Sequence, residues 1–221
     1  MEPSGFRKLL SRNVIHIHEM ILLSLDYDTF KNCEGVCKPW DELLLSKSFC
    51  KKAYSVFCLE MDQELLLHTK EGNVEKVKSM LTKGANPNCE RNGLNPLVCG
   101  AFIGHTGVVK LLLDHGVDPN TVNVNGSTPL QMSASKGHTD VMKLLIKAGA
   151  LPDLGDQRGN TPLHFSALSS HKSVVKILLD SGAHPMRANK RGVTPLALAI
   201  AQNEGNLEVV KLMINPGAAT L

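Results

Sequence analysis

Long apolar runs are missing from this chain. Stretches such as Met20 to Leu23 are far too short to cross a bilayer, which takes about 20 apolar residues in a helix. An excess of one charge is also missing: 24 basic residues stand against 21 acidic ones in 221. The signs balance through residue 60, so the whole excess of +3 lies beyond it. A field this weak does not attract a polyanion, and nucleic acid drops out as a partner. The N-terminus carries Glu2, Arg7, Lys8, Arg12, His16 and His18, with no apolar stretch of signal-peptide length. An intracellular protein, cytoplasmic or nuclear or both, is expected. Cysteine is absent beyond residue 99. The six present belong to a chain too long to need stapling, and in a reducing compartment they read as free thiols. Asn125-Gly126-Ser127 fits a glycosylation acceptor, expected to go unused without a secretory route. No Gly-rich phosphate loop, HExxH or nucleophile elbow occurs. The expectation is a non-catalytic protein with no cofactor and no metal.

What is present is a period. Gly93, Gly126, Gly159 and Gly192 lie 33 apart, and so do Pro96, Pro129, Pro162 and Pro195, each followed by leucine. A second glycine series, Gly116, Gly149 and Gly182, closes the apolar runs VVKLLLDHG, VMKLLIKAG and VVKILLDSG. Thr128, Thr161 and Thr194 are placed to cap a helix, with proline following at its first position, where a missing N–H is harmless. Each closing glycine supplies the left-handed residue that ends a second helix. Val141, Leu144 and Leu145 share one face of that helix, as do Val174, Ile177 and Leu178. One unit has too little core to stand alone, so stacking must bury these faces.

Four coincident series at one spacing resemble the ankyrin repeat, in five copies over roughly residues 61–221. Copy one lacks the Thr-Pro-Leu and begins with Asp62 and Glu64, as a capping copy should. Copy five gains two residues near Gln202-Asn203-Glu204. Its second helix, with Val209, Leu212 and Met213, is expected to be left without a following neighbour. Either the chain end folds over it, or the chain continues further.

Before the repeats, apolar residues recur at helical intervals: Ile17, Ile21 and Leu25, then Phe30, Cys33 and Cys37, then Trp40, Leu43 and Leu44. Asp28 is a suitable helix N-cap. Three short helices in forty residues are marginal alone and gain from a partner. Leu25-Asp26, Phe30, Val36-Cys37-Lys38-Pro39-Trp40 and Leu43-Leu44 with Ser46 and Phe49 resemble an F-box. Asn13-Val14-Ile15-His16 stands where that family usually opens with Leu-Pro. The resemblance implies docking on the Skp-type adaptor of a cullin–RING ubiquitin ligase through Ile17, Leu22, Leu25, Val36, Cys37 and Trp40, while the repeats recruit a protein substrate. The alternative is a scaffold outside any ligase, whose N-terminal helices only cap the stack. The fold expected is therefore all-α: a tail at 1–12, a three-helix F-box-like bundle at 13–58 and an ankyrin-repeat solenoid at 59–221, monomeric apart from its partners.

Nine histidines invite a metal or catalytic reading. His105, His138 and His171 occupy one repeated position, and a residue repeated with the scaffold reads as structural. His164 in the TPLH element reads the same way. His16 and His18 have nothing nearby to complete a ligand set. Cys33, Cys37, Cys50 and Cys58 match no common knuckle spacing, and helix packing is the simpler role for the first two.

The ankyrin resemblance implies that ligands meet the hairpin tips and the exposed side of each first helix. The tips offer Arg91, Asn92 and Leu94; Val124, Asn125 and Ser127; Gln157, Arg158 and Asn160; Lys190, Arg191 and Val193. The helix ends offer Phe102 and Ile103, Ser135 and Lys136, Leu168 and Ser169. Bulky Phe102 and Ile103 stand where an idle surface would carry polar residues. Arg158, Lys190 and Arg191 add a basic edge. Together they suit a partly acidic segment with an apolar anchor.

Overall fold

The computed structural model describes residues 61–202 and 207–215. The expected bundle at 13–58, with Ile17, Leu22, Leu25, Val36, Cys37 and Trp40, lies outside the described residues. Among the described residues there are ten helices and no strand, the nearest approach being one bridge between Arg91 and Leu94. They form five pairs: α1 (61–71) with α2 (Val74–Thr82), α3 (Pro96–Ile103) with α4 (Thr106–Asp114), and α5 (Pro129–Lys136) with α6 (Thr139–Lys147). The last two are α7 (Pro162–Leu168) with α8 (Lys172–Asp180), and α9 (Pro195–Ala201) with α10 (Leu207–Ile214). First helices α3, α5, α7 and α9 stack in one row, and second helices α2, α4, α6, α8 and α10 in another.

The helix boundaries follow from capping chemistry. Thr128 Oγ1 accepts from the Gln131 N–H at 3.2 Å, and Gln131 Oε1 accepts from the Thr128 N–H at 2.8 Å. Two N–H groups otherwise left over at the helix start are thereby satisfied reciprocally. Asn95 does the capping in copy two, accepting from the Val98 N–H at 2.8 Å. At the other end of the unit Gly149 sits at φ 95°, and the following Ala150 N–H returns to Leu145 O at 2.9 Å. That left-handed turn lets the chain reverse toward the next copy.

Burial repeats with the sequence. Leu97, Leu130 and Leu163 are fully enclosed, as are Ala101, Ala134 and Ala167, and Leu112, Leu145 and Leu178. Each loses its water to the neighbouring copies as much as to its own, so each junction shares in the hydrophobic stabilisation.

Copy five differs from the expectation. Val209 and Met213 are only 2% exposed, packed into the stack, and Leu212 is half-buried against the same core. The apolar residues left to solvent at this end are Ile200, Leu207 and Ile214. An apolar helix shows its period in the sequence but not its azimuth, so the stripe of α10 expected at the free end is the one that packs inward. Leu196, counterpart of the enclosed Leu163, is only half-buried.

Candidate functional site

The repeated histidines are built into the scaffold. His138 Nε2 meets Phe102 O at 3.1 Å, and His105 Nε2 meets Lys70 O at 2.9 Å. Each ring lies on the glycine that ends the preceding first helix: a Cβ on Gly104 would come within 2.7 Å of the His138 ring. Copy four breaks this pattern with Ser170, held in the left-handed region at φ 54°.

Three junctions are closed by three different side chains. Asn95 Nδ2 donates to Val122 O at 3.2 Å. Gln131 Nε2 donates to Leu154 O at 2.8 Å and Asn160 O at 2.7 Å. His164 Nε2 donates to Val193 O at 3.0 Å, while its Nδ1 accepts from the Thr161 N–H at 2.9 Å. A backbone N–H can only donate, so that second bond requires the neutral imidazole. Burial holds His164 below the ordinary imidazole value of 6.5, against a smaller upward pull from the Val193 carbonyl. A parallel series closes the loops after the second helices. Asn120 Oδ1 accepts from the Leu151 N–H at 2.8 Å, and Asp153 Oδ1 from the His184 N–H at 3.0 Å. Met186 follows in the same register with no polar atom to continue it.

On this frame the tips of copies three to five are held by their own loops. Asn123 Oδ1 accepts from the N–H groups of Asn125 and Ser127, both at 2.9 Å. Asp156 does the same for Arg158 and Asn160 at 2.8 Å, and Asn189 for Arg191 and Val193 at 2.9 and 3.1 Å. Successive tips are tied together: Gln157 N–H to Asn125 O at 3.3 Å and Lys190 N–H to Arg158 O at 3.0 Å. The sequence-expected residues Asn92, Val124, Asn125, Arg158, Lys190 and Arg191 are all exposed, and Arg91 and Leu94 are half-buried. Ser127 is a correction. It is 5% exposed, because its N–H is drawn in to close the loop on Asn123, and it presents nothing to a partner.

At the helix ends Phe102 is 43% exposed, Ile103 39% and Leu168 49%. Lys136 Nζ stands 4.6 Å from the Phe102 ring centroid, so the cation of one copy covers part of the aromatic face of the copy before. Ser169 Oγ donates to Ser135 O at 3.2 Å, which holds the ends of α5 and α7 together. Asp156 spends its carboxylate on its own loop, leaving Arg158, Lys190 and Arg191 facing solvent. The exposed apolar residues Val122, Leu151 and Met186 escaped the sequence reading. Comparing Leu151 with Asp118 and His184 in the same register marks Leu151 as a loop position.

Among the described residues no group of His, Cys, Asp and Glu is arranged to hold a metal. The Cys89 thiol is pushed up to about 12, chiefly by burial and then by Asp62, and Cys99 is raised by burial too. Such thiols stay protonated and poorly nucleophilic. No helix among the described residues is long and apolar enough to cross a membrane.

Tips held by their own loops, a row of half-exposed helix ends and a core shared between neighbours define a stacked-repeat binding protein. The chain matches the family described as ankyrin repeats (3 copies), over residues 65–156 and again over 148–220. It belongs to the ankyrin-repeat family, whose members are in general non-catalytic modules for protein–protein interaction. No F-box family match is found, and no curated protein matches the chain.

Proposed function

We propose that the tip-and-helix face of copies two to five captures a protein through a partly acidic segment with an apolar anchor. The observation that carries this is the exposed apolar set Phe102, Ile103 and Leu168 on the same repeats as Arg158, Lys190 and Arg191, cations with no acidic partner among the described residues. Aromatic anchors and arginines concentrate binding energy, and basic rims accelerate encounter with acidic partners. Phe102→Ala should weaken capture by about 2 kcal/mol or more if the ring is such an anchor. Arg158→Glu with Arg191→Glu should slow association and flatten its salt dependence, because steering is screened beyond about 8 Å at physiological ionic strength. The test is recovery of cellular partners by folded variants, with circular dichroism run alongside. Variants that recover the wild-type set would place binding elsewhere.

The wider role we propose is substrate recruitment for a Skp/cullin/F-box ubiquitin ligase, acting inside the cell. Residues 13–58 would dock the Skp-type adaptor, and residues 59–221 would present the captured protein. Support comes from the Leu25 to Trp40 spacing alone. The chain would act by proximity, holding substrate lysines near a ligase that does the chemistry. The full chain and a purified Skp-type adaptor, mixed at micromolar concentration, should elute as one complex, and Trp40→Ala should break it. Separate elution of the wild-type chain would leave the scaffold reading, in which the N-terminal helices only cap the stack.

A further inference from the structure

Two asparagine–glycine pairs stand at equivalent tips, Asn92-Gly93 and Asn125-Gly126, 33 residues apart. The dipeptide has an intrinsic chemistry. The glycine amide nitrogen, unhindered by a Cβ on its own residue, can attack the side-chain carbonyl carbon of the asparagine before it. The same dipeptide at both tips means that any difference in reactivity comes from how each is held.

At the second site the atoms that must move are tied down. The Gly126 N–H donates to Asn123 O at 2.8 Å, the Asn125 N–H donates to Asn123 Oδ1 at 2.9 Å, and Asn125 O accepts from the Gln157 N–H at 3.3 Å. Forming the ring there would break this set. At the first site the turn is closed only at its base, where Arg91 and Leu94 exchange two bonds of 2.9 Å. Asn92 is exposed at φ 51°, and among the described residues nothing accepts from the Gly93 N–H or pairs with the Asn92 amide. Gly93 O takes only a long bond, 3.5 Å, from the Val124 N–H.

We propose that Asn92 is a site of spontaneous amide loss in the folded protein, and that Asn125 is protected by its loop. Gly93 N gives up its proton to solvent and bonds to Asn92 Cγ. The Cγ–Nδ2 bond breaks and the side-chain nitrogen leaves as ammonia. Water then opens the cyclic imide at either carbonyl, giving aspartate or isoaspartate, with no oxidant or reductant involved. The product adds one negative charge at the tip of copy two. In the isoaspartyl form it also adds a methylene to the main chain beneath Val124, whose Cγ2 already lies 2.5 Å from where a Gly93 Cβ would stand. The new charge opposes an acidic partner, a consequence that rests on the proposed capture of an acidic segment, whereas the chemistry does not.

The test is incubation of the full chain in heavy-oxygen water, at neutral and mildly alkaline pH, folded and in urea. Trypsin then separates the two sites, since Lys110 lies between them. In the folded chain the Asn92 peptide should become acidic and take up heavy oxygen several-fold faster than the Asn125 peptide. In urea the two rates should converge. Equal rates in the fold would overturn the proposal. So would an intact Asn92 where urea converts both sites, or a gap between the sites that persists in urea.

Discussion

Lowering the pH should loosen the junction between copies four and five before the others. His164 is 1% exposed, and its Nδ1 must accept from the Thr161 N–H at 2.9 Å. Protonation turns that acceptor into a donor facing a donor. A buried N–H left without a partner costs about 1–3 kcal/mol. The sign is set by the direction of the shift. Burial holds the folded pKa below the ordinary 6.5, so the unfolded chain takes up its proton first as pH falls. The stabilisation is complete above 6.5 and is lost as pH drops through the interval down to the folded pKa. One group can contribute at most about 1.4 kcal/mol per pH unit across that interval. Urea midpoints measured from about pH 7.5 to about pH 5 should show this, with the signal in the C-terminal copies. His164→Gln is the control. Gln131 already fills the equivalent place in copy three and caps its helix with an oxygen that does not titrate. The variant should keep most of the neutral-pH stability and lose this part of the acid sensitivity. An acid response unchanged in His164→Gln would refute the reasoning.

Ser170→Gly should stabilise the stack by about 1 kcal/mol or less. It relieves a left-handed serine, worth about 1–2 kcal/mol, against an unfolded-chain entropy penalty of about 0.5–1 kcal/mol; calorimetry checks the sign. Leu130→Ala should cost about 2–5 kcal/mol, whereas Leu196→Ala, at a half-buried counterpart, should cost clearly less in denaturant titrations. Amide hydrogen exchange should be fastest in α9 and α10 and slowest through copies two to four. Met186 ends the polar series between loops, and the Lys172–Glu208 pair at 3.1 Å is exposed on both sides. Uniform protection would contradict that gradient.

The stack was legible because its determinants are local and recur. Thr-Pro-Leu starts a helix wherever it stands, and glycine after a leucine run ends one. Two further copies of each confirm the reading within the same chain. The site was legible only in part. Phe102 and Lys136 could be placed side by side, since the period gives their register. Exposure could not be assigned at single positions, because it depends on what the neighbouring copy turns toward them. Ser127 shows this, drawn inward by Asn123. Val209 and Met213 show it again: periodicity revealed their shared face, and only packing against copy four revealed which way it points.

The unlike junctions make the order of the copies matter. Gln131 uses both amide hydrogens on two carbonyls of the following copy, Leu154 O and Asn160 O. His164 has one N–H for Val193 O, and Asn95 reaches Val122 O from the helix cap itself. Copies three and four are therefore not interchangeable, although they share a period and a core. Duplicating copy four would ask one imidazole N–H to serve two carbonyls, and an unserved buried carbonyl costs about 1–3 kcal/mol. Repeat arrays lengthen and shorten by duplicating or deleting units. Here an internal duplication would begin life with a mismatched joint, so growth is cheapest at the copy-five end, where Met186 makes no polar demand on what comes next.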